Sequence, residues 1–230
     1  MKENSMKEVY FECNMGAAGD MLCGALLDAI GKDERDNIVK KLNSVGFKNA
    51  EISAYDETRR GLKGTKFNVK TDLNDIHKHT SISEIFDIID ELNVDYKVKE
   101  NAKNIYKIIA DAESEAHGVP VADVHLHEVG MIDAIVDIMS FCFIKKELEI
   151  DKIYASPITV GYGSVKTAHG IMNVPAPATA AVLDDVPIKG GDIEDELCTP
   201  TGAAILKYFC TDFSVLGDFK YDCVGVGNGT

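Results

Sequence analysis

Val9-Tyr10-Phe11-Glu12-Cys13-Asn14-Met15-Gly16-Ala17-Ala18-Gly19-Asp20-Met21-Leu22 decides the fold class. Val9 to Cys13 reads as a short strand, and Asn14 to Asp20 as a glycine-bearing loop. Leu22, Ala25, Leu26, Ala29 and Ile30 then recur at helical spacing. Asp20 is available as N-cap of that helix and Gly31 as its stop. Strand, loop and helix in that order open an α/β fold.

Outward from this unit, a second helix runs over about Asp33 to Ser44 and ends near Gly46. Ala50 to Val69 turns strand-like around Thr58-Arg59-Arg60-Gly61, which predicts a hairpin. Ser81-Ile82-Ser83-Glu84 fits a capping box ahead of the stripe Ile82, Ile85, Phe86, Ile89 and Leu92. Val98, Ala102, Ile105, Ile109, Ala112 and Ala116 mark a long amphipathic helix stopped by Gly118. Val124 to Glu128 alternates like a strand, and Met131 to Leu148 reads as a buried helix. Strands are expected from Ile153 to Val165, helices open at Pro177 and Pro200, and the glycine-rich end is strand-like. The expectation is one compact mixed α/β (α+β) unit over residues 7–230, with a mobile histidine-bearing loop at 72–80.

The 230 residues carry 24 Lys+Arg against 38 Asp+Glu, a net charge of −14. That balance excludes duplex nucleic acid and a polybasic membrane role, since both need clustered cations. No stretch approaches the ~18 apolar residues of a membrane helix, and the start lacks a signal-peptide core. The six cysteines form no C-x-x-C and mostly sit in apolar runs, as in a reducing compartment; cytoplasm is the default.

Four of the six histidines fall in two i, i+2 pairs. Alternation places Val124 and Leu126 on one face and His125 and His127 on the other, beside Glu128, a donor set suited to Ni or Zn. His77 and His79 repeat the spacing in a polar loop. Histidines placed by chance on the surface are the alternative for both pairs. His117 stands at a helix C-terminus as a dipole partner, and His169 in a glycine-containing turn as a ligand or substrate contact.

Asp133 and Asp137 are one helical turn apart and flanked by Ile132, Ile135, Val136 and Ile138. Carboxylates there need a cation or donors, and a shared cavity with His125 or His127 would supply the cation. Satisfied caps or an ordinary ion pair would explain them equally well. Asn14 to Asp20 offers backbone donors to a phosphate without matching G-x-G-x-x-G or a Walker loop. Thr199-Pro200-Thr201-Gly202, opening a helix, is a second anion candidate. From the residues alone, the reading ends at an acidic α/β protein with a His/Asp/Glu metal site.

Five blocks carry a resemblance: Tyr10 to Met21, His127 to Ile138, Gly161 to Gly170, Val174 to Thr179, and Thr199 to Ala204. In this order, from about residue 7 to the end, they resemble the LarC nickel-insertion family of nickel-pincer cofactor biosynthesis. The resemblance implies a nickel chelatase or cyclometallase-type lyase acting on pyridinium-3,5-bisthiocarboxylic acid mononucleotide. It also implies CTP with Mg or Mn, and a product that serves racemases such as lactate racemase. Asp20, Asp133 and Asp137 are then the expected catalytic carboxylates. Asn14, Gly16, Gly19, Thr199, Thr201 and Gly202 are expected to bind the nucleotide, and His77, His79, His125, His127 and Glu128 the nickel. Family members often carry a longer histidine run than His77 and His79. They also continue into a C-terminal region associated with CTP, a partner this chain stops short of. Homo-oligomerisation is left open. A non-catalytic nickel chaperone and a metal-dependent phosphohydrolase are the other function classes.

Overall fold

A computed structural model describes residues 6–71, 80–167, 170–215 and 217–229. His77, His79, the rest of the expected loop up to residue 79, and His169 lie outside the described residues. Among the described residues are seven α-helices and ten strands in mixed sheets, the expected α/β class. None of these helices is long and apolar enough to cross a membrane.

The opening reading holds: β1 spans Glu8–Phe11 and α1 spans Gly19–Asp28. Its caps differ from expectation. Ala18, in extended backbone, is the N-cap of α1, and Asp20 sits inside the first turn. Ala29 is the C-cap, and Gly31 instead starts α2, Lys32–Asn43. The hairpin forms as β2, Ala50–Arg59, and β3, Leu62–Thr71, paired from Ala50↔Thr71 to Arg59↔Leu62. Arg60 and Gly61 at φ 49° and 84° give the left-handed turn that matches the twist of the flanking strands.

Ser81 makes the full capping box of α3, Ile82–Glu91. Gly118, left-handed at φ 66°, ends α4, Tyr96–His117. Between α4 and α5, Ile132–Glu147, no continuous strand forms. Two 3-10 turns, Val121–Asp123 and Glu128–Gly130, flank a lone bridge from Leu126 to Thr80. The alternation from Val124 is nonetheless real in burial: Val124 and Leu126 are buried, His125 is exposed and His127 half-buried.

The chain continues through β4 (Lys152–Ala155), β5 (Ile158–Val160), β6 (Ser164–Thr167) and β7 (Gly170–Asn173). Then come α6 (Pro177–Val182), β8 (Ile188–Gly190), α7 (Pro200–Phe209), β9 (Cys210–Phe213) and β10 (Gly227–Asn228), with Pro177 and Pro200 in the first helical turns as expected. A parallel sheet has the order β1-β4-β9, and a second sheet the order β10-β3-β2. Parallel neighbours require crossovers, so α1 to α5 lie between β1 and β4, and α6 and α7 between β4 and β9. Helix α5 is apolar almost all round and forms the centre of the core. Its Phe141 ring lies 6.1 Å from Phe11 of β1 and 5.7 Å from Phe209 of α7, joining helix layer to parallel sheet.

Candidate functional site

The loop after β1 is held by its own backbone at one end and by the start of α7 at the other. Gly16 N–H donates to the Cys13 carbonyl at 3.1 Å. Ala17 pairs with Cys198 in an isolated parallel bridge, with Ala17 N–H on the Leu197 carbonyl and Thr199 N–H on the Ala17 carbonyl, both at 3.0 Å. This sets the N-termini of α1 and α7 side by side. A Cβ on Gly202 would stand 2.3 Å from the Ala17 carbonyl oxygen, so only glycine allows the approach. Thr199 Oγ1 accepts from Gly202 N–H at 3.2 Å and lies 2.9 Å from Thr201 Oγ1. Ala18 has no side-chain cap to offer α1. Two positive helix ends meeting at one place favour an anion there.

Directly beneath α1 lies the carboxyl pair of α5. A Cβ on Gly19 would fall 2.8 Å from Asp137 Cβ and 2.9 Å from its Oδ2, so the first turn of α1 rests on Asp137. Asp20 N–H donates to the Asp137 carboxylate. Asp20 Oδ1 accepts from Met21 N–H, and its Oδ2 lies 2.8 Å from Lys66 Nζ of β3. Asp133 Oδ1 accepts from Ala134 N–H at 2.9 Å. Burial, then the charges of Asp20 and Asp133, push the Asp137 carboxyl well above the usual carboxylate range. Lys66 and the Asp20 N–H oppose that shift without cancelling it. Tyr106, fully buried, donates to the Val129 carbonyl at 3.1 Å; burial, then the charges of Asp133 and Asp137, push its hydroxyl up.

Asp20, Lys66, Asp133 and Asp137 line an open cleft of about 1830 Å³, with Asn14 to Gly19, Thr199 and Thr201 on its wall. Asp195 and Glu196 also border it, and Glu196 is pushed up to about 7 by burial, then by Glu128 and Asp195.

The cleft is not shared with the histidines as expected: neither His125 nor His127 lines it. The reason is the missing strand. The backbone turns at His127, φ −82° and ψ −91°, and its ring comes to rest 6.3 Å from that of His117 at the end of α4. His117 Nε2 itself lies 3.5 Å from Glu113 Oε2, one turn back. Among the described residues, no three His, Cys, Asp or Glu side chains gather into a group able to hold a metal. Glu128 is the link between the two regions, through its charge on Glu196.

Sequence reading missed two lysines at this site. Lys66 reaches Asp20, and Lys189 donates to Asn14 Oδ1. Both sit on strands far along the chain from the loop, and nothing local marks them. The cysteines behave as expected in part: Cys13, Cys23, Cys142 and Cys198 are buried, Cys210 is partly so, and Cys223 is exposed.

Across residues 9–230 the chain matches the family model described as nickel insertion protein. The chain belongs to the nickel insertion protein family. A relative from Staphylococcus saprophyticus, named pyridinium-3,5-bisthiocarboxylic acid mononucleotide nickel insertion protein, is 38% identical over 222 residues, 96% of this chain and 56% of its own length. Relatives of the same name from Geobacillus kaustophilus and Desulfitobacterium hafniense are 39% and 40% identical, over 98% and 97% of this chain and 56% and 55% of theirs. The chain thus spans little more than half the length of these curated relatives. No solved structure matches it.

Proposed function

We propose that this chain seats pyridinium-3,5-bisthiocarboxylic acid mononucleotide and receives the nickel inserted into it. The observation that carries the reading is the bridge between Ala17 and Cys198, which joins two helix N-termini over Asp20, Lys66 and Asp137. The substrate's phosphate would meet Asn14, the Gly19 N–H and the Thr201 hydroxyl, while Gly16, Thr199 and Gly202 spend their own N–H groups holding the two turns in place. Bonding nickel to a ring carbon releases one proton from that carbon, and the two thiocarboxylate sulfurs complete the grip on the metal. Asp137, packed under Gly19, is the base we assign to that proton once the positive charge of the incoming metal has favoured its ionised form, with Asp20 and Asp133 shaping its charge. Nickel is the cargo here, collected by His125, His127 and Glu128 together with His77 and His79.

Use of CTP with Mg or Mn, classification as a lyase, a cytoplasmic location and dependence on a C-terminal part belong to the same proposal. They rest on the family resemblance. A second reading, a nickel chaperone without catalysis, draws support from the separation of His125 and His127 from the cleft. The test is product formation from the dithio mononucleotide, nickel, CTP and magnesium, followed by mass spectrometry. The insertion reading expects product once a C-terminal part is supplied, with that product lost in Asp137→Asn while nickel binding persists. Nickel transfer with no nickel–carbon product, with or without an added C-terminal part, would favour the chaperone.

A further inference from the structure

Phe219 and Tyr221 are left 58% and 69% exposed on the segment that follows β9. The Phe219 ring centroid lies 6.5 Å from that of Tyr10 and 6.1 Å from that of Tyr221, at tilts of 41° and 48°, so three rings form one row of inclined faces. Tyr10 anchors it: the residue belongs to β1, and its hydroxyl donates to the Ser214 carbonyl at 3.2 Å. The row borders the same cleft as Gly19, Asp20 and Asp137, and so does Lys220, which stands between Phe219 and Tyr221 in the sequence. Both cleft-forming segments leave the parallel sheet at strand C-termini, the 14–18 loop after β1 and the aromatic segment after β9. That edge is where open α/β sheets take ligands.

We infer that Tyr10, Phe219 and Tyr221 form the platform on which the substrate's pyridinium ring stacks, with Lys220 meeting an anionic substituent of that ring. The inference rests on the substrate reading above and adds the subsite for its ring. Aromatic faces are electron-rich, and a quaternary pyridinium is flat and electron-poor, so stacking and cation–π attraction act together. A bare aromatic row beside a polar cleft suits such a ring better than it suits a phosphate. Carboxylate-type groups on the ring call for a cation at its rim, and Lys220 stands within the row's own sequence, Phe219-Lys220-Tyr221.

The test uses calorimetric titration of this chain with the dithio mononucleotide and, separately, with ribose 5-phosphate. Phe219→Ala with Tyr221→Ala should weaken mononucleotide binding about ten- to hundredfold, the usual scale of base–aromatic stacking, and leave ribose 5-phosphate binding unchanged. The chain has no tryptophan, so Phe219→Trp supplies a single reporter. It should keep the affinity, and its emission should be quenched by the mononucleotide but not by ribose 5-phosphate. Equal mononucleotide affinity in the double alanine variant overturns the inference and leaves the substrate reading standing; a row that seats another protein segment gives this result. Parallel loss of both ligands in that variant also overturns it, as does an unquenched tryptophan. If the unmodified chain binds neither ligand, the substrate reading fails and the platform with it.

Discussion

Lys66 Nζ lies 2.8 Å from Asp20 Oδ2, with only 9% and 13% of the two side chains exposed. The pair ties the second sheet to the first turn of α1, and so fixes the turn whose Gly19 rests on Asp137. It also brings a cation close to the carboxyl of Asp137.

Removing one partner of such a pair leaves the other charge desolvated. Lys66→Met should lower stability by about 3 kcal/mol, the lower end for breaking a buried ion pair. Adding Asp20→Asn should recover much of that loss. Urea denaturation of the two single variants and the double variant measures the coupling; additive losses would show that the pair contributes nothing.

Asp137 and Glu196 both hold their protons more tightly folded than unfolded. In each case the unfolded carboxyl ionises first as pH rises, near 4, while the folded one stays protonated. The contribution of these two groups to stability should therefore be fullest at acidic pH and fall from about pH 4 upward, through about 7 for Glu196. Asp137→Asn and Glu196→Gln, singly and together, should flatten this decline and be more stable than the unmodified chain at neutral pH. Melting curves between pH 4 and 8 check the sign; a variant less stable at neutral pH would contradict it.

Gly202→Ala would drive its Cβ to 2.3 Å from the Ala17 carbonyl oxygen. The start of α7 must then move away from α1. We expect a loss of roughly 1–3 kcal/mol, typical of an overpacked site, and a loss of ribose 5-phosphate binding. Ala203→Gly, one residue on in the same helix, controls for helix destabilisation and should leave phosphate binding intact.

His125→Ala with His127→Ala should lower nickel affinity at least tenfold by calorimetry, without altering ribose 5-phosphate binding, because neither histidine borders the cleft. Unchanged nickel affinity would remove these residues from the donor set.

Features written locally in the chain were legible. The capping box at Ser81, the left-handed stop at Gly118 and the Arg60-Gly61 turn each depend on neighbours within four residues. Asp133 and Asp137 were legible because charges stand out in an apolar helix. The strand expected from Val124 failed because burial can alternate without a ladder, held here by 3-10 turns and one bridge. Asp20 looked like a cap because the residue in that role, Ala18, carries no capping atom. Lys66 and Lys189 were not legible, since only the crossovers that build the sheets bring them to the loop.

The most direct test is a crystal of the chain grown with the dithio mononucleotide and nickel, with anomalous scattering collected at the nickel edge. The account predicts the phosphate within hydrogen-bond reach of Gly19 N–H and Thr201 Oγ1, and nickel on the ring, on the side facing Asp137. A mononucleotide bound away from the cleft, or one in the cleft with its phosphate distant from both helix starts, would contradict it.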